Sequence, residues 1–190
     1  MIQQLYAPFR HWSNNGSVWL ISDTHFDDPD TIIMAPEWVT PAEQIEIINK
    51  LVYPNDTFIC LGDVGNPEWV KKLRCKYKVL LLGNHDKKHL YEDVFNEIYA
   101  GPLFISERIL LSHEPINGLP WCLNIHGHDH NCREVFDEGC EHINLAANVC
   151  NYTPVNLKEL IRGGKLAKIN SIHRETINRA VAGNEGEIKT

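Results

Sequence analysis

At 190 residues, 43% hydrophobic and 23% charged, the chain has the size and mixture of one globular domain with a substantial core. A formal charge of −7 argues against the broad basic face with which proteins grip nucleic acid, while leaving room for a local anion site. No apolar stretch approaches the ~20 residues of a membrane helix, and the opening MIQQLYAPFRHW lacks the apolar centre of an export signal, so the chain reads as cytoplasmic with no membrane partner.

In chain order, short apolar runs end abruptly in polar residues. Val18 to Ile21 leads into Ser22-Asp23-Thr24-His25, followed by an acidic turn of Asp27, Asp28 and Asp30 around Pro29. Thr40-Pro41-Ala42-Glu43 carries an N-cap, a proline at the first helical position and a capping-box glutamate. Ile45, Ile48, Leu51 and Val52 then form an apolar stripe that Pro54 ends. Phe58 to Leu61 leads into Gly62-Asp63, and a helix is expected over 67–73. Val79 to Leu82 leads into Gly83-Asn84-His85-Asp86, with another helix expected over 88–98. Ile109 to Leu111 leads into Ser112-His113-Glu114, and Leu123 to Ile125 into His126-Gly127-His128. Thr153-Pro154 opens a helix through Ile161 that Gly163-Gly164 stops. Residues 1–164 thus read as the domain and 165–190 as a C-terminal extension, frayed at its end.

Unalternated apolar runs of this length suit strands buried on both faces, and in layered α/β folds sites form where such strands end. The polar tips are the donors that a pair of divalent ions prefers: carboxylate, imidazole and amide oxygen. Asp23 and His25 are two apart, so on an extended segment they share a side, and His126 and His128 repeat the spacing. Asp63, Asn84 and His113 each stand at the tip of a different run. A lone histidine or aspartate after a strand is most often a turn or surface residue; seven in one ordered set are not.

The blocks SDTH, LGDVG, LGNHD, SHEP and HGHDH, in this order from about Ile21 to His130, resemble the calcineurin-like metallophosphoesterases, and NYTPVNLKEL is similar to the ending of small bacterial and phage members. The resemblance implies an α/β fold, a four-layer αββα sandwich of two mixed β-sheets flanked by helices. It implies one metal held by Asp23, His25 and His128, a second held by Asn84, His113 and His126, and Asp63 bridging them. His85 would be the catalytic histidine that is not a ligand, placed beside the leaving group. Two divalent ions are expected, with Mn favoured and Fe or Zn as alternatives. They would lower the pKa of a shared water toward ~7 for in-line hydroxide attack on a small phosphodiester or phosphomonoester, diesters ahead. GDVGN lacks the arginine of the superfamily's Ser/Thr protein phosphatases, which counts against that activity. The alternatives are a non-catalytic scaffold of the same fold and a nuclease acting on single strands.

Two neighbouring residues stay open. His130 either touches substrate or a ligand, or is an exposed loop histidine; Asp86 either orients His85 or caps the next helix. Lys71, Lys72, Lys76, Lys78, Lys87 and Lys88 read as a solvated surface, and the five tryptophans as packing residues rather than a stacking platform for bases. The six cysteines form no CxxC pair and read as reduced thiols.

Overall fold

The computed structural model describes residues 12, 16–119, 121–131 and 140–169. The runs that lack alternation do form strands buried on both faces. β1 (Val18–Ile21), β2 (Thr57–Cys60) and β3 (Tyr77–Leu81) pair in parallel at the centre of a five-stranded sheet. β4 (Glu97–Tyr99) joins β3 in parallel, and β9 (Val155–Asn156) closes the other edge antiparallel to β1. A second, four-stranded sheet runs β5 (Leu103–Ser106), β6 (Ile109–Leu111), β7 (Leu123–His126), β8 (Glu141–Asn144); β5 is antiparallel and the rest parallel.

Both sheets are mixed, and they face each other. Val18, Leu20, Ile59, Leu61, Val79 and Leu81 meet Ile105, Ile109, Leu111, Leu123 and Ile125 in one apolar core. The alternate residues of the first sheet, Ile21, Phe58, Cys60 and Leu80, meet Ile45, Ile48 and Val52 of a helix on its outer side. Helix α1 is Thr31–Met34 and this packed helix, α2, is Pro41–Leu51, opened by the expected capping box between Thr40 and Glu43. Helix α3 (Pro67–Val70) is shorter than the expected 67–73.

Two expectations are corrected. Residues 88–98 are not a helix: only Lys88–Leu90 form a 3-10 turn. Asn96 then bonds Lys78 through both backbone and side chain and draws Glu97–Tyr99 into the sheet as β4. The late helix begins at Leu157, not Pro154, because Val155–Asn156 pair with β1 and the Asn156 side chain caps α4 (Leu157–Arg162). Past Gly164 the chain stays on the body as far as Ile169, with the Arg108 guanidinium donating to the carbonyls of Leu166 and Ile169. Residues 170–190 of the expected extension lie outside the described residues, as do Cys132, His11 and His173. Among the described residues, no helix is long and apolar enough to cross a membrane.

Parallel pairing puts the carboxyl ends of β1, β2 and β3 at one edge, and those of β6 and β7 at the corresponding edge of the second sheet. There the two sheets are tied by a bridge between Ser22 and Ala146, with Ser22 N–H donating to Leu145 O at 2.9 Å.

Candidate metal centre

At this edge the loops after β1 and β2 zip together before any side chain is placed. Asp23 N–H donates to Gly62 O (2.9 Å), His25 N–H to Asp63 O (3.0 Å) and Phe26 N–H to Val64 O (2.9 Å). The turns are tight enough that Asp23, His25, Asp63 and His128 all take positive φ, between 41° and 69°. Four non-glycine residues in the left-handed region, all carrying candidate donor side chains, mark stored backbone strain of the kind found at functional sites. Gly62, at φ 112°, meets the Gly83 backbone so closely that a Cβ would lie 2.7 Å from it. A Cβ on Gly127 would collide with the Asp23 carboxylate and the Ser22 side chain.

Asp86 settles a question the sequence leaves open. It neither orients His85 nor caps a helix; its carboxylate accepts three backbone N–H bonds, from Asp63 (2.8 Å), Val64 (3.1 Å) and Gly83 (2.9 Å). It holds the loop that carries Asp63. Replacing Asp86 with alanine strands those donors and is expected to cost about 2–4 kcal/mol of stability, with asparagine costing less because it keeps one oxygen. Urea denaturation of the two variants checks the order.

The donors gather in two groups, each with its ligand atoms within 4.8 Å of one another: Asp23, His25 and His130, and Asp63, His113 and His128. Asn84 joins the second, its Oδ1 2.9 Å from His113 Nε2. The Asp63 carboxylate faces both, 3.3 Å from His113 Nε2 and 3.8 Å from His25 Nε2. His85 sits at the exposed rim, its N–H donating to Asp63 Oδ1 (3.0 Å) and its ring 5.7 Å from that of His25.

This grouping differs from the expected use of HGHDH: it takes in His128 and His130 and leaves out His126. His126 is the last residue of β7, where Leu123 and Ile125 point into the inter-sheet core, so His126 points to the opposite face. There it packs its ring 5.6 Å from His142 on β8, with Nδ1 at the Gly127 carbonyl. The turn at Gly127 and the positive φ of His128 re-aim the chain. His128 therefore joins the Asp63 group (Nδ1 3.2 Å from His113 Nε2), and His130 takes the place beside Asp23 (3.6 Å) and His25.

Supporting partners fix the imidazoles. Asp28 Oδ2 lies 2.8 Å from His25 Nδ1, His113 Nδ1 meets Leu61 O at 2.9 Å, and His130 Nδ1 meets Asn148 Oδ1 at 2.9 Å. In each ring this directs Nε2 into the site, the usual arrangement around a ligating histidine. The sequence reading treated Asp28 as turn chemistry and missed Asn148. An aspartate three residues after the Asp-x-His pair was the one available signal. Trp38 packs edge-on to His25 and at a tilt of 60° to His130.

The donor set passes a test of fit on its own atoms. Asp23 Oδ1 and His25 Nε2 are buried without a hydrogen-bond partner, a costly state that a cation would relieve. Burial pushes the Asp23 carboxyl up despite the nearby His113 charge. Burial also opposes ionisation of Asp63, but the hydrogen bond and charge of His113 hold its carboxyl below the usual range. For His113 burial acts downward, yet Asp63 and Asp23 raise it to about 9. In chelator-treated protein His113 is thus a cation at neutral pH. Because its folded pKa lies above the unfolded ~6.5, its stabilisation is complete below about pH 6.5 and is lost as pH rises through about 9. The expected loss is on the order of 3 kcal/mol, seen as a falling denaturation midpoint with chelator present and absent once metal is supplied.

Within the lysine cluster, Lys71 pairs with Glu68, Lys72 lies over the Trp69 ring, and half-buried Lys78 donates to Cys75 O.

The pattern of the family described as calcineurin-like phosphoesterase matches residues 16–161. A solved structure of a protein of unknown function from Aquifex aeolicus is similar at 28% identity and a TM-score of 0.62, covering 77% of this chain and 98% of that one. No curated protein matches the sequence.

Proposed function

Because the chain belongs to the calcineurin-like phosphoesterase family, we propose that it hydrolyses a small phosphodiester or phosphomonoester with the help of two divalent metal ions. The observation that carries the reading is the pair of neighbouring donor groups, with Asp63 of the second 3.8 Å from His25 of the first and buried Asp23 and His25 atoms left unpartnered. Asp23, His25 and His130 would hold one ion, Asn84, His113 and His128 the other, and Asp63 both. Oxygen and imidazole donors suit Mn, Fe or Zn, and Mn is the ion we favour. Bound there, the ions would supply Lewis acidity that makes water a nucleophile at neutral pH, and positive charge against that of the phosphate.

The chain's own residues do the rest. Asp86, Asp28 and Asn148 keep the donors aimed through the bonds described above. His85, exposed at the rim and tethered to Asp63 through its backbone, is free to hydrogen-bond or protonate the departing oxygen. His85→Ala is expected to lower kcat by about a hundredfold with metal content unchanged; an unaltered kcat would remove this role.

The same proposal includes residues 1–164 as the catalytic domain, 165–190 as an extension, and a cytoplasmic setting. Buried Cys60 and Cys75, whose thiols burial pushes up, act as packing residues there. A full four-layer sandwich is also proposed: Leu110 and Asn124 are buried on the outer face of the second sheet, which calls for a layer over it.

Metal analysis of the purified protein, then Mn-supplemented assays on bis(4-nitrophenyl) phosphate and 4-nitrophenyl phosphate, test the reading. Bound metal with turnover of either ester supports it. Neither metal nor turnover would favour a scaffold of the same fold.

A further inference from the structure

Two open clefts reach the metal centre. The first, of about 310 Å³, is lined by Asn84 and His113 together with Leu82, Pro102, Glu114 and Ile116. The second, of about 520 Å³, is lined by His128 and His130 together with Ile33, Met34, Pro115 and Asp129. Both volumes fall within the ~300–1,000 Å³ of small-molecule sites.

The clefts converge. His113 lines one and His128 the other, and these two rings touch, their centroids 5.0 Å apart within the Asp63 group. The segment 114–116 is the ridge between them: Glu114 and Ile116 line the first cleft, Pro115 the second. A phosphorus held at that junction has room for one substituent on either side. A monoester has one organic substituent and leaves a cleft unfilled.

The lining also sets the charge of what enters. Among the described residues neither cleft is lined by lysine or arginine, and each carries a carboxylate, Glu114 or Asp129. A substituent bearing further phosphates meets repulsion on both sides, whereas an uncharged one does not. The second cleft offers apolar contact as well: Ile33 is 84% exposed at its mouth, beside Met34. Resting on the phosphoesterase reading, we propose that the substrate is a phosphodiester with two uncharged substituents, the more apolar one seated against Ile33 and Met34.

Two variants test the clefts separately. Gly101 lines the first cleft, and a Cβ added there meets nothing within 4 Å, so Gly101→Leu fills space without straining the backbone. Ile33→Asp puts a charge on the wall of the second. Each is expected to raise KM for bis(4-nitrophenyl) phosphate tenfold or more, while 4-nitrophenyl phosphate, with one ring, is affected by one variant at most. Calorimetry on Mn-loaded protein gives a readout without turnover. Diphenylphosphinate, which has no ester bond, should bind wild type and weaken tenfold or more in both variants; phenylphosphonate should weaken in one at most. Variants that leave diphenylphosphinate affinity unchanged, monoester turnover without diester turnover, or faster cleavage of single-stranded DNA than of the diaryl ester would each overturn the proposal while leaving phosphoesterase chemistry standing. Metal-loaded wild type inert toward both aryl esters would remove the parent reading and this one with it.

Discussion

Asp63→Asn is expected to abolish binding of both metal ions at stoichiometric supply and to lower turnover on the order of 10³-fold or more. The carboxylate lies between the two donor sets, with Oδ2 3.3 Å from His113 Nε2 and 3.8 Å from His25 Nε2. Its other oxygen accepts the His85 N–H at 3.0 Å, so the same side chain anchors the loop that carries Asn84 and His85. Asparagine removes the charge and turns an amide NH₂ toward one of these partners. No rotamer serves both donor groups and the His85 amide at once. The substitution also removes the Asp63 hydrogen bond and charge that help lift His113, while the Asp23 charge stays, so the alkaline destabilisation described above should be weaker in the chelated variant. Metal content by mass spectrometry, kcat on an aryl ester and a chelator-treated denaturation series together decide the matter. Two ions retained with kcat within tenfold of wild type would show that Asp63 is not shared.

The legible part of the fold was the part with a single solution. Val18–Ile21, Thr57–Cys60 and Tyr77–Leu81 are rich in apolar residues that do not alternate, because one face meets the second sheet and the other meets α2. β4 (EIY) and β8 (EHIN) are short and half-buried throughout, so their composition carries no strand signal; their pairing comes from neighbours already in place. The expected helix over 88–98 failed for a related reason. Its apolar Tyr91, Val94 and Phe95 do bury against the first sheet, but a turn achieves this as well as a helix once Asn96 is tied to Lys78.

In the site, residue types were more legible than their pairing. Asp23, His25, Asp63, Asn84 and His113 are polar tips on strands whose ends must converge, and the structure brings them together. The spacing of His126 and His128 is compatible with a shared side, but it does not reveal which sheet face His126 occupies, nor that Gly127 reverses the chain. Asp86 was named but its role was not legible, and Asn148 was missed, because their bonds run to backbone and side chains far along the chain, 22–23 residues for the Asp63 loop and 18 for His130.

That reversal at Gly127 has the second large consequence: His130→Ala and His126→Asn should fail in opposite ways. His130 Nε2 faces Asp23 Oδ1 at 3.6 Å, its Nδ1 is held by Asn148, and its ring lies 5.3 Å from that of His25. Removing it leaves Asp23 buried with one imidazole fewer to share a cation. Loss of a supporting residue alone typically costs about 10–100-fold in metal affinity, so loss of a donor should exceed that and take turnover down on the order of 10³-fold. His126 is more deeply buried but on the far face of β7 against His142, and its substitution should cost about 1–3 kcal/mol of stability while both ions stay bound. Metal stoichiometry measured beside a urea midpoint separates the two. If the His126 variant lost an ion and the His130 variant kept both, the ligand set would return to the pair His126 and His128. The turn at Gly127 would then have to open on metal binding, even though His128 N–H is bonded to Asp23 Oδ2 at 2.8 Å. Closing the turn by that bond, between the residue after Gly127 and a buried carboxylate of the first group, is what makes the His130 assignment the stiffer one.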